Sequence, residues 1–484
     1  MFSGMTTNNQ ATTSSPVNAA QARRKRRRTN TTAHALHASE VASRASEGLA
    51  THDRHDPYWD RLWAPGSAPL WFTETIAREL AAKRARGINR RLLTDKDNAL
   101  RLLRSNRGRA KRLAAWGVID SWRTVSAQQL ATFTGSTHFL DPNYSASAAS
   151  FALGLIDQGT YSHPITGFNL NRLTVYRPAN TDVFEQQIAP TLTWPEWATV
   201  TGGLPWSSAG RPGRHNILAA ELGLRAAEYL PIGAVFGEKF STPDLLAGTG
   251  LGKAALPGHR RPADGTLIRK DGLRIAYELV TTASESFEQK VRRWAQLLIQ
   301  RPLETSGLTL LLITAPHPDR PRHTAADPAH EIKRRLKRVL QEFPGTGEDS
   351  PAARIGLAHW EDWFPGRHLL SEEFLNLTAY YAINPSSGPD RWARRDLLGD
   401  YTFTPWSTFD ATAVINNAPL LTASPHWLRT GDHTALIGSP MDRARELVPH
   451  LSPSKNPQSP SDPMSPMAGR VPQANLPFRL KCAC

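Results

Sequence analysis

Residues 262–280, PADGTLIRKDGLRIAYELV, contain the pattern from which the fold class follows. Two runs of β character flank the turn KDG at 270–272, so the stretch predicts two strands joined as a hairpin. Asp264 then begins the first strand, and Glu278 lies near the end of the second. The hairpin therefore places one carboxylate on each of two neighbouring strands.

Helical and strand patterns alternate on both sides of this hairpin. HNILAAELGLRAAEY (215–229) is amphipathic, ESFEQKVRRWAQLLI (285–299) has apolar residues at helical spacing, and LTLLLITA (308–315) is a continuous apolar run typical of a strand covered on both faces. A further helix and strand follow, so residues 211–365 are predicted in the order helix, strand, strand, strand, helix, strand, helix, strand. We therefore predict an α/β domain with a mixed sheet flanked by helices.

The two carboxylates suggest metal-dependent phosphodiester chemistry. Asp264, a hairpin and then Glu278 is the arrangement that nucleases of the PD-(D/E)XK type use. Two carboxylates on neighbouring strands hold a hard cation such as Mg²⁺, which polarises the scissile phosphate and activates water. We take Asp264 and Glu278 as candidate metal ligands and catalytic residues, and Glu238, in the preceding AVFGEKF segment, as a further candidate.

One element of the nuclease pattern is missing, and this leaves two interpretations open. A lysine usually follows two residues after the second carboxylate, but Val280 occupies that position. Lys290 is the best replacement, because it lies about one residue from the buried stripe of the next helix and has a long side chain. In the alternative interpretation Asp264 is an ordinary turn residue, and Glu278 pairs with an arginine such as Arg274 or Arg292.

The charge distribution indicates a nucleic-acid partner. The chain has 58 Lys and Arg residues against 43 Asp and Glu residues, a formal net charge of +15, and the excess is concentrated in the run RRKRRR (23–28) and in residues 80–112. A nearly neutral body with two basic segments is typical of a protein that contacts phosphates, so we expect double-stranded DNA as the partner. The candidate DNA-binding residues of the second segment are Arg101, Arg104, Arg107, Arg109, Lys111 and Arg112.

The segment after the basic run predicts a winged helix-turn-helix in residues 113–178. It has three short helices, the second running from an N-cap at Ser126 to Gly135, and then two strands around the turn PITG. The third helix would enter the major groove, although many winged helices bind protein instead of DNA. The candidate DNA contacts here are Asn143, Tyr144, Ser145, Ser147 and Ser150 around the third helix, and Arg172 at the wing.

Composition predicts the remaining organisation. We expect disordered termini, a basic helical segment, a Pro/Gly-rich linker and a small C-terminal extension around the two folded units. The predicted segments are a disordered basic arm (1–55), the basic helical segment (56–112), the winged helix-turn-helix (113–178), the linker (179–210), the α/β domain (211–365), the extension (366–451) and a disordered Pro/Ser-rich tail (452–484).

Several functional classes are excluded by what the sequence lacks. No apolar run approaches the length of a membrane span, and the polar start lacks a secretory segment. The only cysteines, Cys482 and Cys484, are too close together to organise a fold, which suits a reducing cytoplasm, so we expect a cytoplasmic protein without a membrane partner. GTGLGKAAL (248–256) lacks the spacing of a phosphate-binding loop, which argues against an ATPase. The sequence also lacks the H-x-H pair that a His-dependent relaxase would need.

Taken together, these segments resemble the replication-relaxation family of plasmids and integrative elements of Gram-positive bacteria. The resemblance covers roughly residues 105–365 and rests on SAQQLATFTG, RHNILAAELGL, FGEKF, RRPADGTL, IAYELVTTASESFEQKVRRW and LTLLLITA. It implies a winged helix-turn-helix joined to a restriction-endonuclease-like core with ligands at Asp264 and Glu278. It also implies DNA binding tied to plasmid replication or mobilisation, with a relaxase or a replication initiator as a further partner.

Three functions stay open at this point. The sequence favours a DNA-binding accessory protein with a degenerate nuclease-like domain, because Val280 departs from the nuclease pattern. An active Mg²⁺-dependent endonuclease and a protein-binding scaffold are the alternatives. Apart from Mg²⁺, we expect no cofactor.

Overall fold

The fold is described from a computed structural model, which covers most of the chain between residues 34 and 429. The described residues are 34–60, 62–63, 67–83, 93–162, 173–202, 204–206, 213–246, 262–302, 305–316, 328–345, 347–383, 392–399, 401–403 and 421–429. The basic run 23–28, the tail 452–484 and the wing residue Arg172 lie outside them.

The N-terminal half contains five helices and a small antiparallel sheet among its described residues. Its elements are β1 (Leu36–His37), β2 (Ala68–Phe72), α1 (Glu74–Ala82), α2 (Lys96–Arg104), α3 (Arg109–Trp122), β3 (Val125–Ser126), α4 (Ala127–Thr134), α5 (Ser145–Ala152), β4 (Ile156–Ser162) and β5 (Leu173–Pro178). The sheet has the order β2-β4-β5-β3. As predicted, α4 begins at a Ser126 cap, where the Ser126 hydroxyl accepts from the Gln129 N–H, and ends at Gly135 with φ of 66°.

The C-terminal half is built on a mixed sheet. Its elements are α6 (Trp194–Thr201), α7 (Gly213–Tyr229), β6 (Ile232–Gly237), α8 (Pro243–Leu246), β7 (Gly265–Arg269), β8 (Arg274–Val280), α9 (Glu285–Gln300), β9 (Leu308–Thr314), α10 (Pro328–Gln341), α11 (Pro351–Arg354), β10 (Ile355–His359), α12 (Trp360–Trp363), β11 (Leu369–Leu370), α13 (Glu372–Leu375), β12 (Thr378–Tyr381) and β13 (Ala393–Asp396). Apart from the short α8, α11 and α12, the order predicted for 211–365 is present.

The sheet order places the predicted hairpin between the edge strand β6 and the parallel strands β9 and β10. Seven strands pair in the order β13-β12-β10-β9-β8-β7-β6. The hairpin strands β7 and β8 are antiparallel, whereas β8, β9 and β10 are parallel and are connected through α9 and α10. Helices α9 and α10 cover one face of the sheet, and α7 packs against the other. The chain is therefore a mixed α/β protein.

The N-terminal segment corrects the predicted disorder of residues 1–55 where that prediction can be checked. Residues 34–55 lie against α7, with Ala38, Leu49 and Thr51 buried. Arg54 is also buried, and its guanidinium donates to carboxylates of α7, to Glu221 Oε1 at 2.9 Å and to Glu228 Oε2 at 3.2 Å. Few large apolar residues are needed there, because buried ion pairs and hydrogen bonds fix the segment.

The predicted linker at 179–210 is also corrected. In its described part, Phe184 and Ile188 are buried, and α6 packs on α3. A single hydrophobic core runs from α3 and α4 into α7 and β6. Lys239, just after β6, forms a buried ion pair with Asp120 of α3. The two predicted units therefore share one core.

The C-terminal extension has a described segment that packs on this shared core. Ser424 accepts from the Val235 N–H of β6 at 3.0 Å, and the Trp122 indole donates to the Ala423 carbonyl at 2.9 Å. Within the described part of the chain, no helix has the length and apolar character needed to span a membrane.

Candidate functional site

Asp264 and Glu278 lie side by side on the β7–β8 hairpin. Asp264 immediately precedes β7, and its backbone N–H donates to the Tyr277 carbonyl of β8 at 3.0 Å. Its carboxylate accepts from the Leu279 N–H at 2.7 Å, which orients it toward the end of β8. The hairpin therefore aligns the two carboxylates predicted from the sequence.

Lys290 completes this pair from the adjacent helix. α9 begins at Ser284, whose hydroxyl caps the Phe287 N–H, and its apolar stripe packs on the sheet. This orientation carries Lys290 Nζ to 2.7 Å from Glu278 Oε2. The Lys290 side chain is 34% exposed, whereas that of Glu278 is 1% exposed. Lys290 is therefore partly exposed to solvent while its ammonium group contacts a buried carboxylate.

Glu278 is electrostatically unusual for a carboxylate. Burial raises its pKa to about 7, and the neighbouring Asp264 acts in the same direction, while Lys290 and Trp294 oppose the shift. Glu278 Oε1 is buried, and no donor among the described residues meets the geometry of a hydrogen bond to it, although the Trp294 indole is near enough to favour the ionised carboxylate. A buried acceptor without a donor is costly, so this oxygen is suited to a proton or a cation.

Three more polar groups flank the pair. Glu238 follows β6 and accepts a hydrogen bond from the Asn216 amide of α7. Burial raises the pKa of Glu238, and Asp264 contributes to that rise. Burial lowers the pKa of His215, which favours the neutral imidazole, and its ring lies 4.8 Å from that of Trp63. Asp264 and Lys290 thus act electrostatically on both Glu238 and His215.

The sequence predictions missed two members of this group. His215 and Asn216 were assigned only to an amphipathic helix, and their position at its first turn was the available signal. The apolar side of α7 packs on the sheet. This packing places the first turn of the helix next to the site, where the Asn216 amide reaches Glu238. His215 and Asn216 extend the site beyond the residues predicted from the sequence.

The described residues include no cluster of three or more His, Cys, Asp or Glu side chains arranged to hold a metal ion. Mg²⁺ does not require one, because proteins commonly hold it with one or two carboxylates plus water and substrate phosphate. The unpartnered Glu278 Oε1 and the adjacent Asp264 are oxygen donors of the required kind. The donor set fits a hard cation that completes its shell with water and substrate.

The predicted DNA-binding cations of the basic segment are not all exposed. Arg101, Arg104, Arg107 and Lys111 are exposed around the end of α2 and the start of α3. Arg109 instead pairs with Glu196, with Nε 2.6 Å from Oε1.

Arg112 is a correction to the predicted set. It is buried, and its guanidinium donates to the carbonyls of Ser105 and Arg107. It therefore holds the connection between α2 and α3 instead of facing solvent.

The predicted recognition helix also needs correction. Ser147 and Ser150 of α5 are buried, because they lie on the side of this helix that faces Arg112, Trp116 and Ile119 of α3. Ser150 Oγ donates to the Ala146 carbonyl at 2.8 Å and accepts from the Trp116 indole at 3.2 Å. Neither serine reaches the surface. Of the other predicted contacts in this region, Ser145 is exposed, and Asn143 and Tyr144 are half-buried.

Comparisons of the chain with protein-family models, with curated proteins and with solved structures find no match. The functional argument therefore depends on the site itself.

Proposed function

We propose that this chain is a DNA-binding protein that cleaves phosphodiester bonds with a divalent cation held at Asp264 and Glu278. The observation that carries the proposal is the 2.7 Å contact between Lys290 Nζ and Glu278 Oε2. The nuclease pattern has a lysine at the position of Val280, and its absence there favoured an inactive domain. A lysine supplied by α9 answers that objection.

The topology supports the same proposal. The chain has the succession α7-β6-β7-β8-α9-β9, with β8 and β9 parallel, and this order supports a PD-(D/E)XK-like core. The order α3, α4, α5 and then the antiparallel pair β4–β5 likewise supports a winged helix-turn-helix. The proposed cellular role, in plasmid replication or mobilisation beside a relaxase or replication initiator, rests on the family resemblance alone.

Each side chain has a role in the proposed reaction. Asp264 and Glu278 would hold Mg²⁺, which supplies Lewis-acid polarisation of the phosphate and a more acidic bound water. Lys290 donates to the oxygen on which negative charge develops, and its fixed ion pair with Glu278 orients it before substrate binds. Glu278 must lose its proton to act, so activity should rise with pH through about 7.

Supercoiled plasmid DNA incubated with the protein and Mg²⁺ or Mn²⁺ tests this proposal. Nicking should require the metal and should fall at least about 100-fold in Asp264→Asn and Glu278→Gln, the scale of losing a principal charge-stabilising group. DNA binding in EDTA should persist in both variants. Unchanged nicking in these variants would assign any activity to a contaminant or to another site.

A second candidate is a DNA-binding accessory protein that does not cleave, and one observation favours it. Glu278 is 1% exposed and already paired with Lys290, as in a structural ion pair. Salt-dependent DNA binding without metal-dependent nicking would establish this function. If the protein does not bind DNA, the remaining candidate function is that of a protein-binding scaffold.

A further inference from the structure

The surface of α10 has a strongly basic composition that the prediction of DNA-binding segments did not include. The helix contains five Lys and Arg residues and one carboxylate, Glu331. Its apolar residues, among them Ile332 and Leu336, are buried against the sheet layer. The basic residues therefore occupy the sides and the outer surface of the helix.

Glu288 of α9 is the centre of an ion-pair cluster with this helix. It is buried, and it accepts from Arg335 at 3.0 Å, from Arg292 at 3.4 Å and from Arg338. Three guanidinium groups thus share one carboxylate. Glu288 alone does not neutralise them, so the charge balance depends on the neighbouring carboxylates.

Two further carboxylates do not balance the arginines. Glu331 pairs with Arg334 and Arg335, and Glu342 pairs with Arg292. Four arginines therefore share three carboxylates, while Lys333 and Lys337 add two more positive charges on α10. The Lys333 ammonium lies 5.0 Å from the centre of the Trp392 ring.

The cluster presents its arginines to solvent in an ordered arrangement. The side chains of Arg334 and Arg338 are 64% and 55% exposed. Their ion pairs hold them along the helix, and a guanidinium has five N–H donors, more than one carboxylate can accept from. Pre-oriented guanidinium groups with remaining donors suit the oxygens of phosphates.

The position of the cluster relates it to the proposed cleavage site. Glu288 and Lys290 are two residues apart on α9, so they project from nearly opposite sides of the same helix. Glu288 is therefore separated from the site by about one helix diameter, roughly 10–12 Å, and Arg334 and Arg338 lie beyond it on α10. Duplex DNA has a phosphate every 3.4 Å of axis on each strand, roughly three base pairs over that distance.

We propose that Lys333, Arg334, Lys337 and Arg338, the α10 basic face, bind the phosphate backbone of duplex DNA beside the proposed cleavage site. The proposal rests on the proposed function, because it takes DNA as the substrate of that site. The contacts are to backbone phosphate, so they position the duplex without selecting its sequence. They supply a second phosphate-binding surface in addition to the exposed cations of α2 and α3.

The salt dependence of DNA affinity tests this surface. The test variant is Arg334→Gln with Arg338→Gln, and its matched control is Arg44→Gln with Arg367→Gln. The control changes the net charge equally at two exposed cations on other segments. Dissociation constants for a short linear duplex are measured in EDTA over a range of salt concentrations, and thermal unfolding confirms that each variant is folded.

We expect the slope of log affinity against log salt to become shallower by about two in the test variant, since each lost phosphate contact removes about 0.9. The control should keep the parental slope, and Arg334→Lys with Arg338→Lys should restore most of it. An unchanged slope in the test variant, or equal changes in test and control, would overturn the α10 assignment.

The outcomes separate this inference from the proposed function. Loss of nicking in Glu278→Gln together with an unchanged slope in the α10 variant would overturn only the inference. A shallower slope in the α10 variant of a parent that never nicks DNA would support the basic face and overturn only the cleavage proposal.

Discussion

Two groups of buried charges sit on opposite faces of the same sheet, and they are built differently. Where the N-terminal segment meets α7, each buried carboxylate has a guanidinium partner. Arg54 contacts Glu221 and Glu228, and Arg225 lies 2.9 Å from Asp56. On the hairpin, by contrast, Lys290 pairs with Glu278 from the solvent side, the Asp264 carboxylate accepts from the Leu279 N–H, and Glu278 keeps an oxygen without a hydrogen-bond partner among the described residues.

The pKa values of the two groups differ in the same way. Burial opposes ionisation of both Glu228 and Glu278, but Arg54 and the hydrogen bonds of Thr51 and Ser43 bring the pKa of Glu228 below its usual value. Burial prevails at Glu278, and its pKa rises to about 7. A fully paired carboxylate stabilises the fold, whereas an under-paired one holds a position open for a ligand.

The largest effect should come from breaking the paired group. Arg54→Met leaves Glu221 and Glu228 buried with less compensation, and removing one partner of a buried ion pair costs about 3–5 kcal/mol. Unfolding by urea should report a loss of this size. A loss below about 1 kcal/mol would mean that the N-terminal segment is not an integral part of the fold.

The pH dependence of stability should have opposite signs in the two groups. The raised pKa of Glu278 contributes stability below the unfolded value of 4.5, and this contribution is lost as pH rises to about 7. The lowered pKa of Glu228 contributes stability above its unfolded value of 4.5, and this is lost as pH falls through the folded value.

Unfolding free energies measured in EDTA between pH 3 and pH 8 check this difference, because the Glu228 contribution is lost only below its unfolded value of 4.5. Relative to Glu278→Gln, the parent should lose stability as pH rises. Relative to Glu228→Gln, it should lose stability as pH falls. The same sign for both pairs would remove the distinction between the two groups.

Metal binding should affect only the under-paired group. A ligand that binds the folded state stabilises it by about 1.4 kcal/mol at ten times its Kd, so Mg²⁺ should raise the Tm of the parent. The increase should be larger at pH 8 than at pH 6, because protons compete at Glu278. It should disappear in Asp264→Asn and persist in Arg367→Gln, and an equal increase in all three proteins would indicate nonspecific binding.

The smallest effect should be the stability cost of Glu278→Gln near pH 7. The substitution removes an expensive buried charge, and the remaining partner Lys290 is a third exposed and can be hydrated. We therefore expect a change within about 1 kcal/mol, in contrast to Arg54→Met. A loss of 3 kcal/mol or more in denaturant unfolding would assign Glu278 a structural role.

The sequence predicted the hairpin because its signals are local. Alternation, the KDG turn and the helical stripe around Lys290 all lie within 30 residues, and Lys290 meets Glu278 as the spacing suggested. The ordering of residues 34–55 was not predictable in this way. Arg54 pairs with Glu221, which lies 167 positions further along the chain, and hydrophobic periodicity does not predict a pair between residues so far apart.

The predictions that Ser147, Ser150 and Arg112 are exposed DNA contacts were wrong for a related physical reason. Ser147 and Ser150 belong to a helix of the expected type, but they lie on its inner side, next to Arg112 and Trp116 of α3. Periodicity within α5 predicts a helix. A helix made almost entirely of Ala and Ser does not specify by its pattern which side faces the core.

The rate of metal-dependent cleavage by Lys290→Met tests the central claim most directly, because the claim is that α9 supplies the lysine missing at Val280. Single-turnover nicking by this variant should be compared with that of the parent and of Arg293→Met, which removes a neighbouring cation of the same helix. We predict a loss of at least about 100-fold for Lys290→Met, with DNA affinity nearly unchanged, and less than about threefold for Arg293→Met. Cleavage by Lys290→Met at the parental rate would contradict the account.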